Sequence, residues 1–418
     1  MTIKLLWTVL VSGAVIALGL SLVLRWLGTA GLPVPFLASR TPDSVRYAVS
    51  RAEGLRVFLS ALLFRLVIFV LVGLFTCLVL YPGSGPDAAL WTWQRWDALH
   101  YVNLAELGYT GYMEDGKHLF LVFFPLYPWL MRLVSFITGN TMAAGLLISF
   151  LTYAGGCVYL YQLAAWELGE RAARRAVLFL SIFPYAFFFG GIMTEGLFLF
   201  TTAAGLWYIR RHRWWLAGVF GVLAAMTRMH GILLIGAAAA ELVEDRGRFD
   251  WREIGRRLPA LLLPVLGTLI YLALNWQVGG DPFAFTVMQE HWSQGFCWIS
   301  DTLWYVLNNA LSYPTQAVRY QLWIPTIVLF PIFFALVLYA RKKFRSMYVL
   351  YGFVYLVLNY SLSWLLSAGR YLSCGLPFFL FAAALTENRR WLTILSSVGM
   401  SIGFVLLLYG YLTGGQIM

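Results

Sequence analysis

The chain has 418 residues, 61% of them hydrophobic and 12% charged, with a formal net charge of +11. Soluble domains carry roughly 25% charged residues, so the composition excludes an ordinary soluble protein. The basic residues fall in short clusters between apolar runs and form no contiguous basic face, which excludes a nucleic-acid binder. Apolar runs of about 20 residues recur along the chain and predict an all-α polytopic membrane protein with about twelve spans.

The first run, LLWTVLVSGAVIALGLSLVL, is long for a signal peptide and lacks a small-residue exit, so a retained helix is expected over 5–27. Further spans are expected at 57–81, 142–166, 172–190, 192–209, 214–228, 230–243, 258–277, 321–340, 346–366, 370–386 and 391–413. The pair 214–228 and 230–243 is short, nearer two half-helices broken at TRMHG. Residues 119–138 look like another span, but two prolines and Arg132 weaken that reading. A helix lying in the membrane interface is expected there instead, with Tyr127 and Trp129 at headgroup level.

One set of alternate loops holds most of the 30 Lys and Arg, beginning with Arg40, Arg46, Arg51 and Arg56. These loops are assigned to the cytoplasm. The amino terminus and two long polar stretches, 82–141 and 278–320, then fall outside. The chain reads as a single transmembrane domain, 1–418, with these stretches as its two extracytoplasmic loops. Cys77, Cys157, Cys297 and Cys374 are scattered and read as packing residues. No second His or acid stands at ligand spacing from His291, so neither a metal nor a cofactor is expected.

The first outer loop holds an unusual stretch, WQRWDALHYVNLAELGY (93–109). On a helix, Asp97, His100, Tyr101 and Leu104 share one face. A carboxylate at the helix start beside an imidazole suits removal of a proton from a hydroxyl. A plain N-cap is the other reading of Asp97. Glu195 stands at an outer helix junction between apolar segments, where an ionisable group is costly. Arg228 at the TRMHG break and Arg370, followed by Tyr371, stand at other outer ends. A guanidinium there suits a phosphate, although Arg228 could pair with Glu195 and Arg370 could snorkel. In the second outer loop Phe285, Gln289 and Trp292 form a stripe suited to a sugar ring or to a docked cover helix. Together these features suit transfer of a group from a lipid phosphate to a hydroxyl acceptor.

The stretch RWDALHYVNLAELGY, with Glu114 and FFPLYP at 123–128 after it, resembles the signature of the PIG-V mannosyltransferases. The resemblance continues in order through FPYAFFFGGIMTEGLF, AAMTRMHG, GDPFAFTVMQEHW and GRYLSCGLPFF, covering roughly residues 90–385. It implies the GT-C glycosyltransferase fold, a polyprenyl-phosphate sugar donor, and mannose transfer with inversion to a glycolipid or glycan hydroxyl. Asp97 would be the base, with Arg95, His100 and Glu114 around it. Arg228, Arg370 and Tyr371 would hold the donor phosphate, and Glu195, Gln289, Trp292 and His230 would face the sugar or acceptor. Met193-Thr194-Glu195-Gly196 and Met229-His230 depart from the family pattern, so acceptor contacts are expected to differ. The helix over 5–27 precedes the span that matches the family's first.

A lipid-linked substrate transporter would use the same arginines and aromatic walls, but no internal repeat is visible and both long loops lie on one face. A GT-C enzyme for a different sugar also fits.

Overall fold

The computed structural model describes residues 2–34 and 41–418; Arg40, in the first basic loop, lies outside them. Among the described residues there are helices and two isolated β-bridges but no strand. In chain order come α1 (Thr2–Thr29), α2 (Arg51–Phe75, extended by a π-helical turn to Leu80), α3 (Ala88–Trp91), α4 (Asp97–Gly111) and α5 (Leu126–Thr138). Then follow α6 (Thr141–Leu168), α7 (Glu170–Ile182), α8 (Glu195–Arg210), α9 (Trp214–Ala225) and α10 (Leu234–Arg246). After these come α11 (Trp251–Leu262), α12 (Pro264–Gly279), α13 (Ala284–Glu290), α14 (Ile299–Ser312) and α15 (Gln316–Val318). The chain closes with α16 (Ile324–Ala340), α17 (Ser346–Asn359), α18 (Ala368–Ser373), α19 (Leu376–Leu385) and α20 (Arg390–Leu412).

Among the described residues, six helical stretches are long and apolar enough to cross a membrane: Ile3–Thr29, Arg51–Leu80, Thr141–Leu168, Trp251–Gly279, Gln316–Ala340 and Arg390–Leu412. The protein is an integral multi-pass membrane protein. Three shorter apolar helices, α9, α17 and α19, pack among them. The expected dozen is thus made partly of broken helices, each broken for a local reason. Residues 172–190 do not form one helix: α7 stops at Ile182, because Phe183 precedes Pro184 and takes an extended ψ of 140°. The irregular chain that follows is buried, as Phe187, Phe189 and Met193 show at 0% exposure. Non-helical backbone at membrane depth survives only under such cover. Likewise α17 ends at Asn359, short of 366, and α18 and α19 are separate around Gly375 and Pro377. The break at TRMHG is present between α9 and α10. Gly231 closes it, since a Cβ there would lie 2.2 Å from the backbone of Ala224.

Helix α5 does not cross the bundle. Trp129, Phe136 and Ile137 on it are exposed. Tyr127 does not face outward from the protein. It is fully buried and donates to the Gly145 carbonyl at 3.0 Å, with Ser149 Oγ at 2.9 Å. Its place in the first turn of α5, packed on α6, decides this.

Helix α1 ties both ends of the bundle together. Near its start Lys4 pairs with Asp301 at 3.0 Å and Trp7 Nε1 donates to the Ser300 carbonyl. Near its end Trp26 Nε1 donates to the Ala240 carbonyl. The amino end therefore lies beside α14, and the arginine-rich turns gather at the opposite end. That basic end is held by a buried network in which Arg210 meets Glu167 at 2.6 Å and Glu241 at 3.4 Å, while Arg345 meets Glu241 at 2.7 Å. The hydroxyl of Tyr348 donates to Glu167, and Arg210 Nη2 donates to Ser44 Oγ.

Candidate active site

Four charged side chains from four helix ends converge at the other end of the molecule. Asp97 is the first residue of α4 and Glu195 the first of α8. Both carboxylates therefore sit where a helix field favours negative charge. Arg228 lies just past the carboxyl end of α9, where the field favours a cation, and Arg370 is on the short α18.

The four alternate in sign. Arg370 Nη2 donates to Asp97 Oδ2 at 2.5 Å, and Arg370 Nε stands 2.6 Å from Glu195 Oε1. Arg228 Nη2 donates to the same carboxylate of Glu195, and Arg228 Nε donates to Thr194 Oγ1 at 2.9 Å. Tyr371 lies between the guanidinium groups, its ring centroid 5.3 Å from that of Arg228 and 5.4 Å from that of Arg370. Glu195 is wholly buried, whereas a third of the Asp97 side chain is exposed. Burial alone would raise the Asp97 pKa. The charge and hydrogen bond of Arg370, helped by His100 and Arg228, outweigh it and hold the carboxyl below its ordinary value. Burial also lowers the His100 imidazole below its ordinary value, with Asp97 and Glu114 opposing the shift.

These charges front a cavity of about 460 Å³. Asp97, His100, Arg228, His230, Arg370 and Tyr371 line it, and Gln289 and Trp292 reach it from the second polar loop. Glu195 lies behind the wall, bonded to both arginines. His100 stacks on Phe120 at 4.6 Å and its Nδ1 is 2.9 Å from the Tyr112 hydroxyl. Arg228 Nη1 and His230 Nε2 are buried and find no hydrogen-bond partner among the described residues, which leaves polar valences open for a ligand.

Two residues expected near Asp97 are elsewhere. Trp96 takes φ 53°, ψ −127°, a conformation that an L residue adopts at a cost of about 1–3 kcal/mol. This turns Arg95 off the cavity, so that it donates to the Leu412 carbonyl at 2.7 Å. Glu114 forms an isolated bridge with Lys117 and is not on the cavity wall. Phe285 leaves the expected stripe because its N–H donates to Asn275 Oδ1 and its ring lies 5.2 Å from Tyr271. The sequence reading missed Trp96, Gln294, Trp364 and Ser367, all on the cavity wall. The Trp and Gln content of the two polar loops hinted at Trp96 and Gln294, and nothing in the sequence marked Trp364 or Ser367.

At the basic end, His212, Glu241 and Asp245 bring three potential ligand atoms within 4.8 Å of one another. Glu241 there is already bonded to Arg345 and Arg210, so its charge is spent.

The architecture matches, over 86% of this chain and 65% of the other, the crystal structure of ArnT from Cupriavidus metallidurans bound to undecaprenyl phosphate, with a TM-score of 0.52 and 17% identity. The class is therefore the GT-C glycosyltransferase fold. Over about a third of its length the chain is also similar to mannosyltransferases. It is 29% identical over 153 residues to GPI alpha-1,6-mannosyltransferase 2 of Cricetulus griseus, covering 34% of this chain and 30% of that protein. With the Rattus norvegicus protein of the same name it shares 30% over 162 residues, 36% of this chain and 32% of the relative. The chain thus spans less than a third of the length of these relatives. The family described as dolichyl-phosphate-mannose-protein mannosyltransferase matches residues 124–276, a stretch that includes Glu195 and Arg228 but neither Asp97 nor Arg370.

Proposed function

We propose that the protein is a glycosyltransferase that moves mannose from a polyprenyl-phosphate donor to a hydroxyl of a glycolipid or glycan, outside the cytoplasm. The observation that carries the reading is the alternating set Asp97–Arg370–Glu195–Arg228, opening on the cavity through Asp97 at one end and Arg228 at the other. It supplies a carboxylate for the nucleophile and guanidinium groups for a leaving phosphate.

With Asp97 Oδ2 bonded to Arg370, Oδ1 is left for an acceptor hydroxyl. As the acceptor oxygen bonds to the anomeric carbon, its proton passes to Asp97. The bond from that carbon to the phosphate oxygen breaks on the opposite face, and its electron pair leaves with the lipid phosphate. The added negative charge meets Arg228 and Arg370, aligned before the reaction by Glu195. Attack opposite the leaving group inverts the anomeric centre. Placing the acidic outer loop outside follows the basic turns at the other end.

The test is transfer from a short-chain polyprenyl-phosphate mannose to a lipid-acceptor extract, with wild type beside Asp97→Asn. Transfer by wild type, lost in a variant that still binds donor, is the expected result. Binding and movement of the lipid across a vesicle without transfer by either protein would overturn it in favour of a transporter. Transfer of another lipid-linked sugar alone would keep the reaction and replace mannose.

A further inference from the structure

A second cavity, of about 480 Å³, lies far from the catalytic one, between α2 and α7. Both helices pack on α6, and the groove between them opens at the basic end of the bundle. Its length along α2, from Glu53 to Phe64, is about 16 Å at 1.5 Å per residue, half the thickness of a hydrocarbon core of about 30 Å. Val57, Ala61, Phe64, Val177, Leu178 and Ile182 make its walls apolar.

The mouth is charged. Residues 51–56 and 170–175, at the starts of the two helices, carry five arginines against two glutamates. Both glutamates are already engaged: Glu53 accepts from the Tyr47 hydroxyl and the Ser50 N–H, and Glu170 accepts from Arg174. Arg56, on the groove wall, makes no hydrogen bond or ion pair with a described residue.

Behind the apolar wall lies a cation without an anion. Arg65 is 1% exposed in the middle of α2, and none of its three guanidinium nitrogens has a hydrogen-bond partner among the described residues. Its guanidinium is 4.0 Å from the ring centroid of Tyr153 and 5.2 Å from that of Phe64, a groove residue. The Tyr153 hydroxyl is 2.7 Å from Ser181 Oγ, also on the groove wall. Aromatic faces soften the burial of this charge but leave its sign uncompensated.

We propose that the α2–α7 groove binds one anionic glycerophospholipid of the leaflet at the basic end. Its phosphate sits between Arg56 and Arg174, and an acyl chain runs along the groove toward Phe64. The half-bilayer length selects a lipid chain, and the excess of arginine over glutamate at the mouth selects a negative headgroup. The proposal is independent of the glycosyltransferase reading, because neither donor nor acceptor takes part.

The test uses the full-length protein in detergent, with dioleoyl phosphatidylglycerol or phosphatidylcholine added and bound lipid counted by native mass spectrometry. Wild type is expected to take up one phosphatidylglycerol at least tenfold more tightly than phosphatidylcholine. Arg56→Gln with Arg174→Gln, both exposed positions, should bring the two lipids within about twofold. Ser60→Phe, which fills the groove, should weaken both. Equal binding of the two lipids by wild type would overturn the proposal, as would undiminished preference in the double variant. Retention of phosphatidylglycerol by Ser60→Phe would place the lipid elsewhere and overturn it too.

Discussion

Two buried networks, one at each end of the bundle, use the same parts. At the basic end Glu167 and Glu241 meet Arg210 and Arg345; at the other, Asp97 and Glu195 meet Arg228 and Arg370. The first takes in the hydroxyls of Ser44 and Tyr348 and faces neither cavity, so its charges fasten α6, α8, α10 and α17 to one another, with Arg345 Nη2 left without a partner among the described residues. The second is left with Arg228 Nη1 unpaired and Asp97 partly exposed on a cavity. The type of residue does not separate a fastening from a reactive site. Access does: one network is sealed within the bundle, and the other opens on a cavity through a partly exposed carboxylate.

That contrast can be broken by substitution. The largest effect is expected for Asp97→Asn, which should lower the transfer rate by about 10² to 10⁴ with the melting temperature unchanged, as initial rates and thermal unfolding would read. Next, Arg345→Met should destabilise the fold by about 3–5 kcal/mol, the cost of leaving a buried partner charge alone. The activity of the molecules that remain folded should stay near that of wild type. If Arg345→Met changed the rate per folded molecule as much as Asp97→Asn, the two networks would not be separable. Arg228→Lys should raise the donor KM roughly tenfold, the value of a lost charge-assisted hydrogen bond, with a smaller change in kcat.

The pH dependence sharpens the same comparison. Because Arg370 holds Asp97 below its ordinary carboxylate value, the carboxylate stays ionised as the pH falls. The acidic limb of kcat/KM in wild type should then lie below about pH 4. In Arg370→Gln the burial term is no longer opposed by that charge, and the limb should move to higher pH. A limb that stays put in Arg370→Gln would remove Asp97 as the titrating base. The smallest effect is expected for Trp292→Ala at the cavity rim, a few-fold rise in acceptor KM from lost ring contact.

Much of this was legible along the chain where an ionisable residue interrupts an apolar run. Arg228 and Gly231 marked the break between α9 and α10, and Asp97 marked the start of α4. The burial cost of such residues leaves few places for them. What was not legible depends on direction and on distant partners. Arg95 stands two residues from Asp97, yet the backbone of Trp96 turns it toward Leu412. Glu195 bonds to arginines 33 and 175 residues away, which no local spacing encodes. Tyr127 was expected at an interface beside Trp129, but about half a turn of helix separates Trp129 in the open from a tyrosine wholly enclosed. Trp364 and Ser367 carry no charge and reach the cavity only because α17 ends at Asn359.

Asp97 and Arg370 touch across 273 residues of sequence. During synthesis, then, the chain exposes its carboxylate long before the guanidinium that restrains it has left the ribosome. The four-membered charge cluster cannot be complete until α18 has folded back onto α8. It comes into being as one of the last acts of assembly, and on the proposed function a chain halted before α18 would transfer nothing.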